Sequence, residues 1–357
     1  MQTRTIPGTD LSVSLLGFGN FIFGTNWWGE FTDEDGVRLQ NHAVDRGVNF
    51  FDTAAAYGNG RAERLLADTI DYAGRQNLVV STKFGYDFYG DPGEGGGHRE
   101  RRQDFSGRFL RYDLEQSLKR LRIECVDLYQ AHNLKLSQFE DELFDTLESL
   151  KSEGKIRHWG VALGPAIGWR EEGHDAFLKR DAAVVQTVFN MYEQDPGREF
   201  CQICAARGRG GVIARVPTNS GILDEEFKSP DHTFPEWDHR KFRDRNWLVY
   251  GLKKNAIIGP LAKAHGCSIR QLAFKWLAAQ TGLVSIEPNL LNAQDVDDFC
   301  AAADGTGLDD ATRKRIDELY ALDFDMGADA HPCDLKSSTA EEGKVRSSYE
   351  APMVDVS

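Results

Sequence analysis

The sequence predicts one (β/α)8 barrel, and three observations carry that prediction. Short β-branched runs alternate with longer amphipathic ones, as repeated βα units require. The strand-like runs number about eight, the count that closes this barrel. No third glycine follows Gly17, Phe18 and Gly19, which read on into Asn20, Phe21 and Ile22; a doubly wound sheet would usually carry a complete dinucleotide fingerprint there.

The predicted strands are Ser14 to Gly17, Val48 to Asp52, Leu78 to Thr82, Cys125 to Gln130, His158 to Val161, Ala183 to Thr187, Val212 to Ala214 and Val284 to Ile286. Helices are predicted between them, among others at Asp33 to Arg46, Phe105 to Arg120, Leu136 to Ser152 and Ile269 to Ala279, where apolar residues recur every three or four positions. Three segments decorate this pattern. Tyr86 to Asp104 is rich in glycine and charge and predicts a long loop. Pro217 to Asn246, with prolines, aromatics and charges, predicts a loop over the barrel mouth. Periodicity ends at Asp323, so residues 1–322 are expected to form the barrel and 323–357 an irregular C-terminal extension rather than a second domain.

With 41% hydrophobic and 27% charged residues over 357 positions, the composition is that of a globular protein and excludes collagen, coiled coil and extensive disorder. A net charge of -14 argues against a grip on nucleic acid, which needs clustered Lys and Arg. The absence of a signal-like segment and of a membrane-spanning run leads to the expectation of a cytoplasmic protein with no membrane partner. Homo-oligomerisation is left open by the sequence.

The six cysteines are scattered, so reduced thiols are expected. Cys201 and Cys204 form a CxxC, but they lie in the helix-like run REFCQICAARG with no second ligand pair, which favours packing. His331, Cys333 and Asp334 are polar neighbours without a fourth ligand. No metal is expected.

Active sites of such barrels lie at the C-terminal ends of the strands. Asp52 ends GVNFFD, Tyr57 follows in TAAAYGNG, Lys83 ends LVVSTK and His132 ends VDLYQAH. Each alone has a structural explanation: a helix cap, a core filler, a rim cation or a histidine bonded to a carbonyl. Together they bring ionisable groups from strands two, three and four to one mouth, and the set suits carbonyl reduction. Hydride addition builds negative charge on oxygen, which needs a proton and hydrogen-bond donors. A tyrosine is a poor acid unless a cation stabilises its phenolate, which Lys83 can do if Asp52 keeps it protonated. His132 would orient the substrate oxygen.

The combination NFFDTAAAYGNGRAERLL, VVSTKFG, SLKRLRIECVDLYQAH, KSEGKIRHWGVAL, GVIARVPTNSGIL and LAFKWLAAQTGLVSIEP closely resembles the aldo-keto reductase superfamily over most of residues 1–320. The resemblance implies a nicotinamide cofactor and a catalytic tetrad of Tyr57, Lys83, Asp52 and His132. It also assigns Asn20 and Phe21 after strand one, Gln186 on strand six, and Arg215, Pro217 and Thr218 after strand seven to the cofactor groove.

Departures from the family pattern concentrate in that groove. A Ser-Asn pair that holds the nicotinamide amide is replaced by Ala162 and Leu163, and an aromatic under the ring by Arg215, whose guanidinium can stack. After strand eight the chain reads IEPNLLNAQDVDDF, placing Leu291 at the 2′-phosphate position, Asp295 and Asp298 at the adenine, and Phe299 where Asn is usual. Leucine cannot pair with a phosphate and two carboxylates repel it. NAD is therefore favoured over NADP.

The expected substrate is a small carbonyl or alcohol, such as an aldehyde, ketone or sugar, with Trp27 and Trp28 offering aromatic walls for it. Two alternatives follow from the altered groove. One is a lyase or isomerase that reuses the tetrad for acid-base chemistry; the other is a regulatory barrel subunit, as some relatives are in association with ion channels.

Overall fold

In the computed structural model, residues 1–90, 102–164 and 169–327 are described. A hairpin opens the chain, β1 (Thr3–Thr5) antiparallel to β2 (Ser12–Ser14). Eight parallel strands follow: β3 (Phe18–Gly19), β4 (Phe50–Asp52), β5 (Val79–Phe84), β6 (Val126–His132), β7 (Ile156–Ala162), β8 (Val184–Val188), β9 (Gly211–Arg215) and β10 (Leu283–Glu287). Each pairs with the next in chain order. A Leu16–Ile286 bridge, with the Gly17 N–H donating to Ile286 O at 2.9 Å, joins the last strand to the first and closes the barrel.

The intervening helices are α1 (Asp33–Asp45), α2 (Arg61–Ala73), α3 (Gly107–Leu121), α4 (Asp141–Ser152), α5 (Arg170–His174), α6 (Gly197–Arg207), α7 (Arg245–Ala264) and α8 (Ile269–Ala278). After β10 come α9 (Ala293–Ala302) and α10 (Asp310–Ala321). Side-chain caps set several starts. Thr32, Ser106, Asp244, Ser268, Asn292 and Asp309 each accept a backbone N–H from the first turn of the helix they precede.

The (β/α)8 expectation is met, with local corrections. Ser14 to Gly17 is not one strand: Ser14 ends the hairpin, Leu15 to Gly17 bond to β10, and the regular first barrel strand starts at Phe18. The helix expected from Leu136 starts at Asp141, because Leu136–Gln138 forms a separate 3-10 turn and Glu140 is extended, so apolar spacing there spans a break. Phe105 and Ser106 precede α3, Ser106 as its cap. Arg245 and Asn246 belong to α7 rather than to the mouth loop. His331, Cys333 and Asp334 lie outside the described residues, as does most of the extension. No group of His, Cys, Asp and Glu suited to a metal occurs among the described residues. No helix among them is long and apolar enough to cross a membrane.

Alternation along the strands builds two cores. Phe51, Val80, Tyr129 and Val185 face the helices and join the large outer core. Phe50, Val79, Leu128, Val184, Ile213 and Val284 point the other way and form one apolar cluster with Ile6, Leu11 and Val13 of the hairpin. The hairpin thus closes one end of the barrel with a dry plug. Two to four residues further along the same strands, side chains turn polar. Asp52, Lys83, Gln130, Gln186 and Glu287 occupy the other end.

Candidate active site

At that polar end Asp52 is the hub. Its Oδ1 accepts from Ser81 Oγ at 2.7 Å and from Gln130 Nε2 at 3.0 Å. Its Oδ2 is ion-paired with Lys83 Nζ and accepts from Gln186 Nε2 at 3.2 Å. Lys83 also donates to the Thr53 carbonyl at 2.9 Å and is 1% exposed. Burial works against the ammonium, but the charge of Asp52 and its hydrogen bond outweigh it, and the lysine's pKa lies above its ordinary value. The lysine therefore stays a cation.

Tyr57 arrives on the turn between β4 and α2, where its N–H donates to Ala54 O and its carbonyl accepts from the Ala62 N–H. A side chain at Gly24 would come within 2.6 Å of Tyr57 Cβ, so this close approach requires glycine. Lys83 Nζ stands 5.1 Å from the centre of the Tyr57 ring. Burial raises the phenol's pKa, Lys83 pulls it down, and burial prevails. The tyrosine rests as a neutral acid beside a cation that favours its phenolate. His132 packs edge-on against Tyr57 at 5.6 Å between ring centres, and burial, then Lys83 and Arg215, hold its pKa well below the ordinary value. It is a neutral imidazole. The sequence thus named four residues from three strands and their loops, and the fold brings them together.

Aromatic side chains wall the mouth. Phe21 packs edge-on against both Tyr57 and Trp27, at 5.3 and 5.5 Å. Trp27 in turn stacks on His239 at 4.8 Å, and Trp28 carries the Arg240 guanidinium over its face at 4.7 Å. Arg240 is held by Asp238 and Glu226, so the long segment after β9 is tied down onto the loop after β3. Opposite, Tyr86 packs on His132 at 5.0 Å and its hydroxyl accepts from Asn133 Nδ2. Sequence reasoning missed Tyr86, His239 and Arg240. Tyr86 follows strand three and carried a usable signal; His239 and Arg240 lie in the segment predicted over the mouth, but nothing in the sequence singled them out.

The groove residues separate into two sets. Near the tetrad, Asn20 is buried and donates to Asp52 O at 3.0 Å, and Gln186 donates to Asp52 and to Glu287. Arg215 Nη2 donates to the carbonyls of Leu163 and Gly164, and Pro217 and Thr218 are buried just beyond it. At the far rim, Asp295 Oδ1 accepts from Arg270 Nη1 at 2.7 Å, and its Oδ2 accepts from the Leu291 N–H and from Asn292 Nδ2 at 3.0 Å. Asp298 lies 3.6 Å from the same arginine, which also binds Asp224. Leu291 is half-buried and Phe299 packs under Arg270.

The sequence profile of the aldo/keto reductase family matches residues 15–321. The chain belongs to the aldo/keto reductase family. This aldo/keto reductase is 27% identical to a probable aldo-keto reductase of Glycine max, over 75% of this chain and 74% of that one. It is 26% identical to an uncharacterized oxidoreductase of Bacillus subtilis, over 80% and 86% of the two chains. A probable voltage-gated potassium channel subunit beta of Arabidopsis thaliana is also 26% identical, over 85% and 92%. Among solved structures, the glycerol dehydrogenase of Gluconobacter oxydans superposes with a TM-score of 0.75 and 27% identity, over 89% of this chain and 95% of that one. The holo form of a Bacillus halodurans aldo-keto reductase gives 0.72 at 22% identity, over 89% and 96%, a likeness of fold. Membership makes this chain an oxidoreductase of the barrel type.

Proposed function

We propose that this aldo/keto reductase moves hydride between a nicotinamide dinucleotide and a small carbonyl or alcohol, with Tyr57 as general acid in reduction and general base in oxidation. The observation that carries this reading is that the Lys83 ammonium is ion-paired with Asp52 and stands 5.1 Å from the centre of the Tyr57 ring, with His132 edge-on against the same ring. As a carbonyl oxygen gains charge, Tyr57 donates its proton and Lys83 stabilises the phenolate left behind. Asp52 fixes the lysine and keeps it charged. Neutral His132 has an N–H with which to hold the substrate oxygen.

The mouth suits the nicotinamide half of the cofactor. Buried polar atoms there, Gln130 Oε1, Arg215 Nε and Glu287 Oε1, have no hydrogen-bond partner among the described residues. Gln186 would take the carboxamide and Arg215 would lie against the ring, with Asn20, Phe21, Pro217 and Thr218 along the ribose and diphosphate. When bound, the dinucleotide supplies or accepts the hydride. Asp295 and Asp298 would lie toward the adenosine half, and with Arg270 already bound by Asp224 and Asp295 the rim suits the free ribose hydroxyls of NADH better than a 2′-phosphate. The aromatic walls, Trp27 and Trp28 among them, suit a substrate with an apolar or sugar face.

Tyr57→Phe is the test. Turnover of small aldehydes with NADH should fall by about 10²–10⁴-fold while the melting transition stays. Normal turnover in that variant would remove Tyr57 from the chemistry. A wild-type chain that bound neither NADH nor NADPH would instead favour the non-redox lyase or isomerase reading.

A further inference from the structure

The eighth strand ends in an ionisable residue that the tetrad does not use. Glu287 is 8% exposed and pairs in register with Arg215. Its Oε2 accepts from Gln186 Nε2 at 2.9 Å, the nitrogen that also reaches Asp52. Its Oε1 is buried without a partner among the described residues. Gly17 leaves room beside it: a Cβ there would lie 3.0 Å from Glu287 Cγ and 2.9 Å from Phe50 and Ser285.

A mere filler would resemble the valines and isoleucine at the other end of these strands. A buried polar oxygen left without a partner is costly, so the carboxyl has to be accounted for. The charged and titratable groups around it are Asp52 from β4, Tyr57 from the following turn, Lys83 from β5 and Arg215 from β9, with Gln186 from β8 and glycines from the first strand. Burial, then the charge of Asp52, raise the Glu287 pKa well above the ordinary value, against Lys83 and Arg215. Lys83 is already ion-paired with Asp52. Arg215 gives its Nη2 to the carbonyls of Leu163 and Gly164, so a further positive charge at the mouth would favour the ionised form of Glu287.

The two forms of a nicotinamide ring differ by that charge. We propose that Glu287 reads the redox state of the cofactor, ionising against the cationic oxidised ring and staying neutral beside the reduced one, so that the site holds the oxidised form preferentially. The inference rests on the dinucleotide reading above: a carboxamide held by Gln186 would sit on the side chain that already bonds to Glu287. Binding of the oxidised form then releases the Glu287 proton to solvent. Its affinity therefore rises with pH, whereas that of the reduced form stays level.

Titration of the full chain with NAD+ and with NADH, followed by protein fluorescence between pH 6 and 9, tests this. Glu287→Gln should weaken NAD+ by about tenfold at the alkaline end, leave NADH within about twofold, and flatten the pH dependence of NAD+ binding. Calorimetry of wild-type NAD+ binding in two buffers of different ionisation heat should show a proton released, and it decides the matter even if the variant does not fold. Equal weakening of both forms, no weakening of either, or no proton released would overturn the role of Glu287 while leaving the dinucleotide site intact. Failure of wild type to bind either form would overturn both.

Discussion

The two ends of the barrel are built from the same strands and share almost no chemistry. At one end Phe50, Val79, Leu128, Val184 and Ile213 interlock with the hairpin residues Ile6, Leu11 and Val13. At the other, two to four residues on, stand Asp52, Ser81, Lys83, Gln130, Gln186 and Arg215. Two residues of strand advance only about 6.6 Å. Within that distance the interior changes from an apolar plug to a hydrogen-bonded layer that holds charge. The plug is apolar throughout, while the layer holds several polar groups around one hub: Asp52 takes hydrogen bonds or ion pairs from Ser81, Gln130, Gln186 and Lys83. Apolar packing and buried charge therefore alternate along a single strand.

Breaking the polar end should have the largest effect. Lys83→Met leaves the Asp52 carboxylate buried without its cation and should cost about 3–5 kcal/mol of stability. The same change should lower turnover by about 10²–10⁴-fold. Denaturant unfolding and steady-state kinetics read the two losses, and a variant that lost activity at full stability would show that the pair serves catalysis alone. Phe50→Ala attacks the plug on the strand that carries Asp52. It should cost a comparable 3–5 kcal/mol or so in unfolding, yet leave the pH profile of the remaining activity where it was. A shifted profile would show the two ends to be coupled.

The smallest effect belongs to the outer edge of the plug. Asp10, on the hairpin turn, accepts from Arg157 and His158, and those hydrogen bonds, chiefly that of Arg157, lower its pKa from 3.8 to about 2. A lowered carboxylate pKa stabilises the fold above the ordinary value, and that contribution disappears as pH falls toward 2. The carboxylate side chain is 68% exposed, so Asp10→Asn should cost only about 0.2–1 kcal/mol at neutral pH. Melting of variant and wild type should converge in acid. A gap that persisted there would point to packing of the turn instead of charge.

Much of this molecule was legible in its sequence because barrel periodicity and strand-end chemistry are local signals. The alternation of strand and helix predicted the fold, and Asp52, Lys83 and His132 each stood at the end of a strand where the fold places active sites. Tyr57 was legible from its spacing after Asp52. The signal weakened where chain geometry departs from regular spacing: apolar residues at Leu136 and Phe139 mimic the helix that follows them, and Leu15 to Gly17 pair with β10 before the regular strand begins. Glu287 stood at a strand end like the others, but within IEP its importance depended on neighbours that sequence does not supply.

By itself, then, the sequence determined the barrel and which residue types stand at its strand ends and at Ala162, Leu163 and Leu291, because each depends on residue type at a position. Only the tertiary structure decided what those residues touch. It joined Gln186 to Asp52 and Glu287 across the barrel, spent Arg270 on Asp224 and Asp295, and brought His239 and Arg240 onto Trp27 and Trp28. These contacts span tens to hundreds of residues, and closing the sheet is what makes them neighbours. Whether a buried charge is paired or left to respond to a ligand is a property of that closure.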